Sequence, residues 1–505
     1  MDSYFLGIDN GGTLTKAVLF NARGQAVASA SARVPMQRPQ PGFTERDMEA
    51  LWQANVAVIR DTVAAAKVPA ESIRGIACTG HGKGLYLWGK DDTPAANGIV
   101  STDGRAWAYA RQWQQDGTAD RVFDRTLQTP LACQPVALWR WFQDHRPEVL
   151  GRTRWVFAVK DYIRFRLTGE ACSEITDASG TSLMDLRRSA FDAGVLDAFG
   201  IADIADKLPP LRGSTELCGH VTAPVAALTG LREGTPVAGG MFDIDACAVA
   251  MDVVDERYLC VIAGTWGINE YVSRQPVLDR SIRMNSLFCL PGLYLIEESS
   301  PTSASNYDWF STLFLEPERA EAAARGISLH ALAEEMAATV AHDAQSILFL
   351  PFLYGSNDNP QAKAAFIGLD SAHSRPQLIR AVLEGIVFSH RVHIERLLAN
   401  RATPPEAIRL AGGAAANRTW AQIFADVIGL PVEIVDAAEL GALGCAMAAA
   451  VATGQCRDLA DAARQMVTVK ERLLPDPDKK AVYDRKFARF AKAARALDDL
   501  WNDEA

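Results

Sequence analysis

The sequence carries no excess of positive charge. It has 51 Lys and Arg against 61 Asp and Glu, a net charge of −10, whereas a nucleic-acid binder ordinarily presents a basic surface. It has no run of 18 apolar residues, so no membrane span is expected. The nearest approach, Gly441–Ala452, is Ala-rich and short and reads as a buried helix. The N-terminus MDSYFLGIDN has an acid at position 2 and no basic stretch, unlike a signal peptide. Nine cysteines stand singly with no C-x-x-C pair, and the eight His include no H-E-x-x-H. Neither a zinc site nor a dithiol is therefore indicated, and the odd cysteine count suits reduced thiols in a cytoplasm. Hydrophobic residues at 49% and charged residues at 22% exclude disorder and collagen-like structure. At 505 residues the chain is too long for one packed unit. These features together describe a soluble, acidic, multi-domain chain, most readily an enzyme.

What is present begins with an apolar run, Tyr4–Ile8, that ends in Asp9-Asn10-Gly11-Gly12-Thr13-Leu14-Thr15-Lys16. A second run, Ala17–Phe20, follows, giving strand, glycine turn, strand. Helical periodicity covers Glu45–Ala66, and Ile73–Thr79 is another strand running into Gly80-His81-Gly82. The pattern restarts mid-chain. Tyr258–Ala263 is a strand, Gly264-Thr265-Trp266-Gly267 a turn and Ile268–Val272 a strand, a structural echo of the N-terminus. Later, Ile408–Ala411 runs into Gly412-Gly413-Ala414, with Asn417 placed to cap the helix Asn417–Val427. Strands alternating with amphipathic helices predict α/β architecture. The recurring hairpin predicts two halves, 1–247 and 248–505, closing over a cleft.

Glycine turns after strands let backbone amides approach an anionic oxygen. None here is a Walker motif or a G-x-G-x-x-G fingerprint, and any one alone is equally a hairpin turn. Taken together they suit a triphosphate, with Thr13, Thr15 and Thr265 as hydroxyl donors and Lys16 as a cation. Asp9 could hold Mg²⁺ directly or through water. In Gly239-Gly240-Met241-Phe242-Asp243-Ile244-Asp245, two carboxylates open an apolar helix. Either could cap it, or accept a proton from a substrate hydroxyl during phosphoryl transfer. Chemistry alone does not separate Asp243 from Asp245.

These residues resemble those of the FGGY carbohydrate kinases over nearly the whole chain. The resemblance is carried by Asp9-Asn10-Gly11-Gly12-Thr13 with Lys16, Gly42-Phe43-Thr44-Glu45-Arg46-Asp47, Gly80-His81-Gly82 and Asp103-Gly104-Arg105. It continues through Lys160-Asp161-Tyr162, Thr176-Asp177-Ala178-Ser179-Gly180-Thr181, Asp243, Gly264-Thr265, Gly412-Gly413-Ala414 with Asn417, and Gly441-Ala442 with Gly444. Gly82-Lys83-Gly84-Leu85, Ser300-Pro301-Thr302-Ser303 and Phe349–Asn357 are similar to segments of pentulose kinases, L-xylulose kinases in particular. The chain departs from the family's usual pattern at Trp266, where a Ser is common, and at Ser356-Asn357, where an Arg is usual.

The resemblance implies two actin-like (ribonuclease H-like) ATPase domains flanking a catalytic cleft. It implies ATP-dependent phosphorylation of a ketopentose, with ATP and Mg²⁺ bound and with dimers common. It assigns Asp243 as catalytic base and Asp9 to the metal. Gly80, His81, Asp103, Arg105, Asp243 and Trp266 fall to the sugar. Gly11, Gly12, Thr13, Lys16, Gly264, Thr265, Gly412, Gly413, Ala414 and Asn417 fall to the nucleotide. Kinases for other sugars or polyols, a sugar or nucleotide sensor and an actin-like motor ATPase are the rivals. The expected location is cytoplasmic.

Overall fold

The computed structural model describes residues 2–343, 347–437 and 439–502. It is a mixed α/β chain that divides into two compact units. The first comprises Met1–Val254, Ser273–Leu295 and Ala437–Thr468; the second comprises Asp255–Val272, Ile296–Asp436 and Val469–Ala505. The first unit therefore runs past residue 247 and takes in two later stretches that the sequence reading grouped with the second half. Among the described residues no helix is long and apolar enough to cross a membrane.

The first unit is built on strands β1 (Tyr4–Asn10), β2 (Leu14–Asn21), β3 (Ala26–Arg33), β4 (Ile73–Gly80), β5 (Leu217–His220) and β6 (Pro236–Ala238). Their order in the sheet is β5-β6-β4-β1-β2-β3. β1 runs antiparallel to β2, with Asp9 opposite Lys16 and Asn10 opposite Thr15. It runs parallel to β4, with Asn10 opposite Gly80, and β6 is parallel to β4. Buried Leu6, Ile8, Leu19, Ile76 and Val237 line the core beside helix Met48–Ala66. That helix starts at Met48, not Glu45, because the Asp47 backbone is extended (ψ 119°) and its carboxylate caps the Ala50 amide. Glu45–Arg46 instead pair with Gly98–Ile99 as a short strand.

The second unit repeats the design with β7 (Tyr258–Ala263), β8 (Gly267–Ser273), β9 (Tyr294–Ser300), β10 (Ala407–Gly412), β11 (Val432–Val435) and β12 (Val469–Leu473). Within a seven-stranded sheet these six run in the order β9-β8-β7-β10-β11-β12. β7 and β8 form the antiparallel hairpin, and β10 and β11 extend the sheet in parallel. In both units an antiparallel strand closes the parallel edge. It precedes its neighbour in the chain in the first unit (β5 before β6) and follows it in the second (β12 after β11).

Helix Leu440–Ala452 is buried on nearly all faces from Gly441 to Ala450, as expected for a helix apolar all round. It belongs to the first unit because glycine lets backbone touch backbone there. A Cβ on Gly7 of β1 would stand 1.9 Å from the carbonyl oxygen of Ala442, and one on Gly444 would stand 2.3 Å from that of Ala246. Neither main chain can retreat without opening the core. Gly7→Ala should therefore destabilise the protein by at least ~2 kcal/mol, read as a lowered thermal midpoint. An unchanged midpoint would mean that the helix slides freely on β1.

Candidate active site

Three parallel strands of the first unit, β1, β4 and β6, end side by side, the position where open α/β sheets bind ligands. The chain leaving β6 is held by side chains from three directions. The Thr79 hydroxyl donates to the Met241 carbonyl (2.7 Å), Arg164 Nη1 donates to the Gly239 carbonyl (2.6 Å), and Thr176 Oγ1 accepts from the Phe242 amide (2.8 Å). Gly240 has φ +76°, and a Cβ there would lie 1.9 Å from the Cys78 carbonyl oxygen, so only glycine fits. This clamp fixes the start of helix Asp243–Ala250.

Two residues apart on that helix, Asp243 and Asp245 face different ways. Asp245 is fully buried and its Oδ1 accepts from the Cys289 amide (3.0 Å). Asp243 keeps partial exposure. Its carboxyl is pushed well above the usual carboxylate range, first by burial and then by the charges of Asp9 and Asp177, with Lys83 opposing. Burial likewise raises Asp9 to about 6, against the pull of Lys16. Asp177 rises to about 7 by burial, although Lys160 lowers it. Lys160 Nζ is fully buried among Asp161 (2.9 Å), Glu174 (3.1 Å) and Asp177 (3.1 Å), and Arg164 pairs with Asp161 (2.8 Å). Behind the clamp there is thus a dry charged network that keeps Thr176 and Arg164 in place.

The Gly11–Thr13 turn leaves its amides without hydrogen bonds among the described residues. The carbonyls of Gly11 and Gly12 point the other way, to Nη1 and Nη2 of the buried Arg46. Thr13 is exposed. Thr15, expected to face phosphate, does not. Strand alternation turns its hydroxyl inward onto Asn10 Oδ1 (3.0 Å) and Asn55 Oδ1 (3.2 Å). Lys16 stands across the hairpin from Asp9 and pairs with Glu439 (2.9 Å).

The backbone amide of His81 bonds the Asn10 carbonyl (3.0 Å), which ties the loop after β4 to the end of β1. The His81 ring is buried. Nε2 meets the Tyr86 hydroxyl (3.0 Å) and Nδ1 the Gly82 carbonyl (3.3 Å). Burial, then the charge of Arg46, lowers its pKa to about 4, so the ring is neutral at physiological pH. Gly80 packs tightly: a Cβ would lie 2.5 Å from Val159 Cγ1. Lys83 has φ +63°, with its ammonium 5.9 Å from the Phe242 ring centre. Asp103 accepts from the Thr44 amide (2.6 Å) and from Arg105 Nε and Nη2 (both 2.9 Å), and Arg105 also pairs with Glu45 and stacks on Phe43. Asp103 and Arg105 thereby lock the 42–46 segment that carries Arg46.

In the second unit, β7 and β10 end level, Ala263 opposite Gly412. Gly412 has φ +81°, and a Cβ would meet the Ala263 carbonyl at 2.4 Å. Gly264, Thr265 and the exposed Trp266 form the turn beside it, which is anchored by the Ala304 amide on the Gly264 carbonyl (2.8 Å). Gly413 is exposed, Ala414 buried, and Asn417 caps the Trp420 amide (2.8 Å).

Residues 4–250 match the model of the FGGY family of carbohydrate kinases, N-terminal domain, and residues 259–453 match that of its C-terminal domain. The chain belongs to the FGGY family of carbohydrate kinases. It is therefore a phosphotransferase that uses an alcohol group as acceptor. It is 36% identical to an Escherichia coli L-xylulose/3-keto-L-gulonate kinase over 98% of both chains. It is 34% identical to a probable L-xylulose kinase of Pasteurella multocida over 98% of this chain and 99% of that one. The crystal structure of xylulose kinase from Rhodospirillum rubrum superposes with a TM-score of 0.87 at 28% identity, covering 99% of this chain and all of that one.

For this kinase, sequence reasoning assigned no role to Arg46, Lys160, Arg164, Asp177 or Glu439. Their signal was present only as unassigned members of motifs, or, for Arg164 and Glu439, absent. A divalent cation fits Asp9. Its carboxylate has no hydrogen-bond partner among the described residues, and no cluster of three His, Cys, Asp or Glu ligands occurs among them. That donor set suits an ion that keeps its waters, as Mg²⁺ does.

The raised carboxyls carry a pH signature. A carboxyl with a higher pKa folded than unfolded binds its proton more tightly in the native state, so its contribution to stability is full below the ordinary value of 3.8 and is lost as pH rises through the folded pKa. Between pH 4 and 7 Asp9 and Asp177 lose this contribution as they ionise, while buried His81 and His390, whose pKa values are lowered, act in the opposite sense. The thermal midpoint of Asp9→Asn should therefore gain on that of wild type as pH rises from 4 to 7, and lie above it at pH 7. Parallel curves for the two proteins would show that Asp9 is not strained.

Proposed function

We propose that this kinase transfers the γ-phosphoryl group of ATP to the terminal hydroxyl of a ketopentose, with L-xylulose, giving L-xylulose 5-phosphate, as the leading substrate. The observation that carries the proposal is Asp243. It is a half-buried residue at a parallel strand end, its approach fixed by three anchors on the preceding backbone, with a proton affinity raised toward that of a general base. The sugar rests on the relatives named for L-xylulose at 36% and 34% identity.

In this reading Asp243 orients the hydroxyl and takes its proton as the phosphoryl group moves. Asp9 would hold Mg²⁺, which supplies neutralisation of the phosphate charge. The free amides at Gly11, Gly12 and Thr13, with Lys16, and the turn at Gly264 and Thr265 receive phosphate oxygens. Gly412, Gly413, Ala414 and Asn417 shape the adenosine side. Gly80, His81, Asp103, Arg105 and Trp266 belong to the sugar side; His81, Asp103 and Arg105 act there by fixing loops 81–84 and 42–46. The transition state of phosphoryl transfer is loose, so positioning and electrostatics provide most of the acceleration. A second acceptor class, keto-sugar acids, is favoured by the name of the Escherichia coli relative and by the cationic Lys83 near Asp243.

Asp243→Asn should lower kcat by ~10²-fold or more while ADP binding stays unchanged; full activity would remove the base assignment. In a coupled ADP-release assay over ketopentoses, polyols, aldonates and 3-keto-L-gulonate, L-xylulose should give the highest kcat/KM. That value should rise with pH on the acid side as Asp243 ionises. A flat panel would favour a sensor.

A further inference from the structure

Arg46 is 1% exposed. It donates Nη1 to the Gly11 carbonyl (3.3 Å) and Nη2 to the Gly12 carbonyl. Its Nε is buried without a hydrogen-bond partner, and no carboxylate lies within ion-pair reach of it among the described residues. The other buried cations of the first unit differ. Arg105 faces Asp103 and Glu45, Lys160 faces three carboxylates and Arg164 faces Asp161. Lys16, the cation that the turn's sequence advertises, is already neutralised by Glu439 at 2.9 Å.

A buried charge without a counter-ion is unfavourable and persists where something else compensates it. Carbonyl dipoles do part of this. Two of them aimed inward at Arg46 oblige the same peptide units to aim their amides outward, and successive outward amides make an anion-binding nest. The field of Arg46 also reaches its neighbours, since it lowers the proton affinity of His81 and of Tyr86.

We propose that Arg46, rather than Lys16, supplies the fixed positive charge of the first phosphate turn. It is a positioning residue that acts through the Gly11 and Gly12 carbonyls, and its missing counter-ion is a phosphate of the bound nucleotide. This rests on the reading that the turn takes phosphate, and it names the residue that makes the turn an anion site in a chain of net charge −10.

The test is ADP binding by calorimetry, with no sugar present, in wild type, Arg46→Gln, Arg46→Lys and Lys16→Gln. Gln keeps a hydrogen-bond donor and loses the charge; Lys keeps the charge and loses the two-pronged grip. Arg46→Gln should weaken ADP binding by ~10-fold or more and raise the KM for ATP, with the KM for sugar unchanged. Arg46→Lys should recover binding to within about threefold, and Lys16→Gln should cost less than Arg46→Gln. Wild-type ADP affinity in Arg46→Gln, or a larger loss in Lys16→Gln, would overturn the proposal. If Arg46→Gln does not fold, Arg46→Lys decides: retained ADP affinity supports the charge, and a tenfold loss rejects it. A wild type that binds ADP but releases none with any sugar would fail the kinase substrate reading and leave the Arg46 comparison intact.

Discussion

The first unit depends on a contact between main chains. Helix Leu440–Ala452 lies so close to β1 and to helix Asp243–Ala250 that Gly7 and Gly444 have no room for a side chain. The approach brings Gly441 against the Asp9 carboxylate, 2.8 Å from a would-be Cβ to Oδ2, and sets Glu439 on Lys16. Water is thereby kept from Asp9, and desolvation is the leading cause of its raised pKa. The chemistry at the end of β1 is thus set partly by a helix more than four hundred residues away in sequence.

Charge is arranged in two layers. At the back, Lys160, Arg164, Asp161 and Glu174 pair with one another out of solvent. They give fixed geometry to Thr176 and Arg164, and through these to the peptide ahead of Asp243. At the front, the charges of Asp9 and Asp177 raise the cost of ionising Asp243, and the Asp9 carboxylate is left suited to a cation. Net charge decides neither layer; the pairing of individual groups does.

Much of this was legible in the sequence. The strands ending at Asn10, Gly80, Ala263 and Gly412, the glycine turns after them, and the Asn417 cap follow from period, turn chemistry and capping, all of which are local. The family followed from motifs in order. What was not legible depends on the third dimension. Asp243 and Asp245 carry the same chemistry and separate only by which side of a helix meets solvent. Thr15 looked like a phosphate donor until the register of β1 and β2 turned it inward. Arg46 looked like one more charged residue in the first turn of a helix, since nothing local reveals that it is buried without a carboxylate. Lys16 looked free because Glu439 is remote in the chain.

The return of residues 437–468 to the first unit has a bearing on how the protein is made. Domains ordinarily fold from the N-terminus as they leave the ribosome. Here the groove over Gly7 stays uncovered while nearly two hundred intervening residues are synthesised, about 10–40 s at ordinary elongation rates. The nascent first unit must wait, its apolar sheet face open, for a helix that leaves the ribosome only after residues 255–436. Its completion therefore reports that those residues have been made.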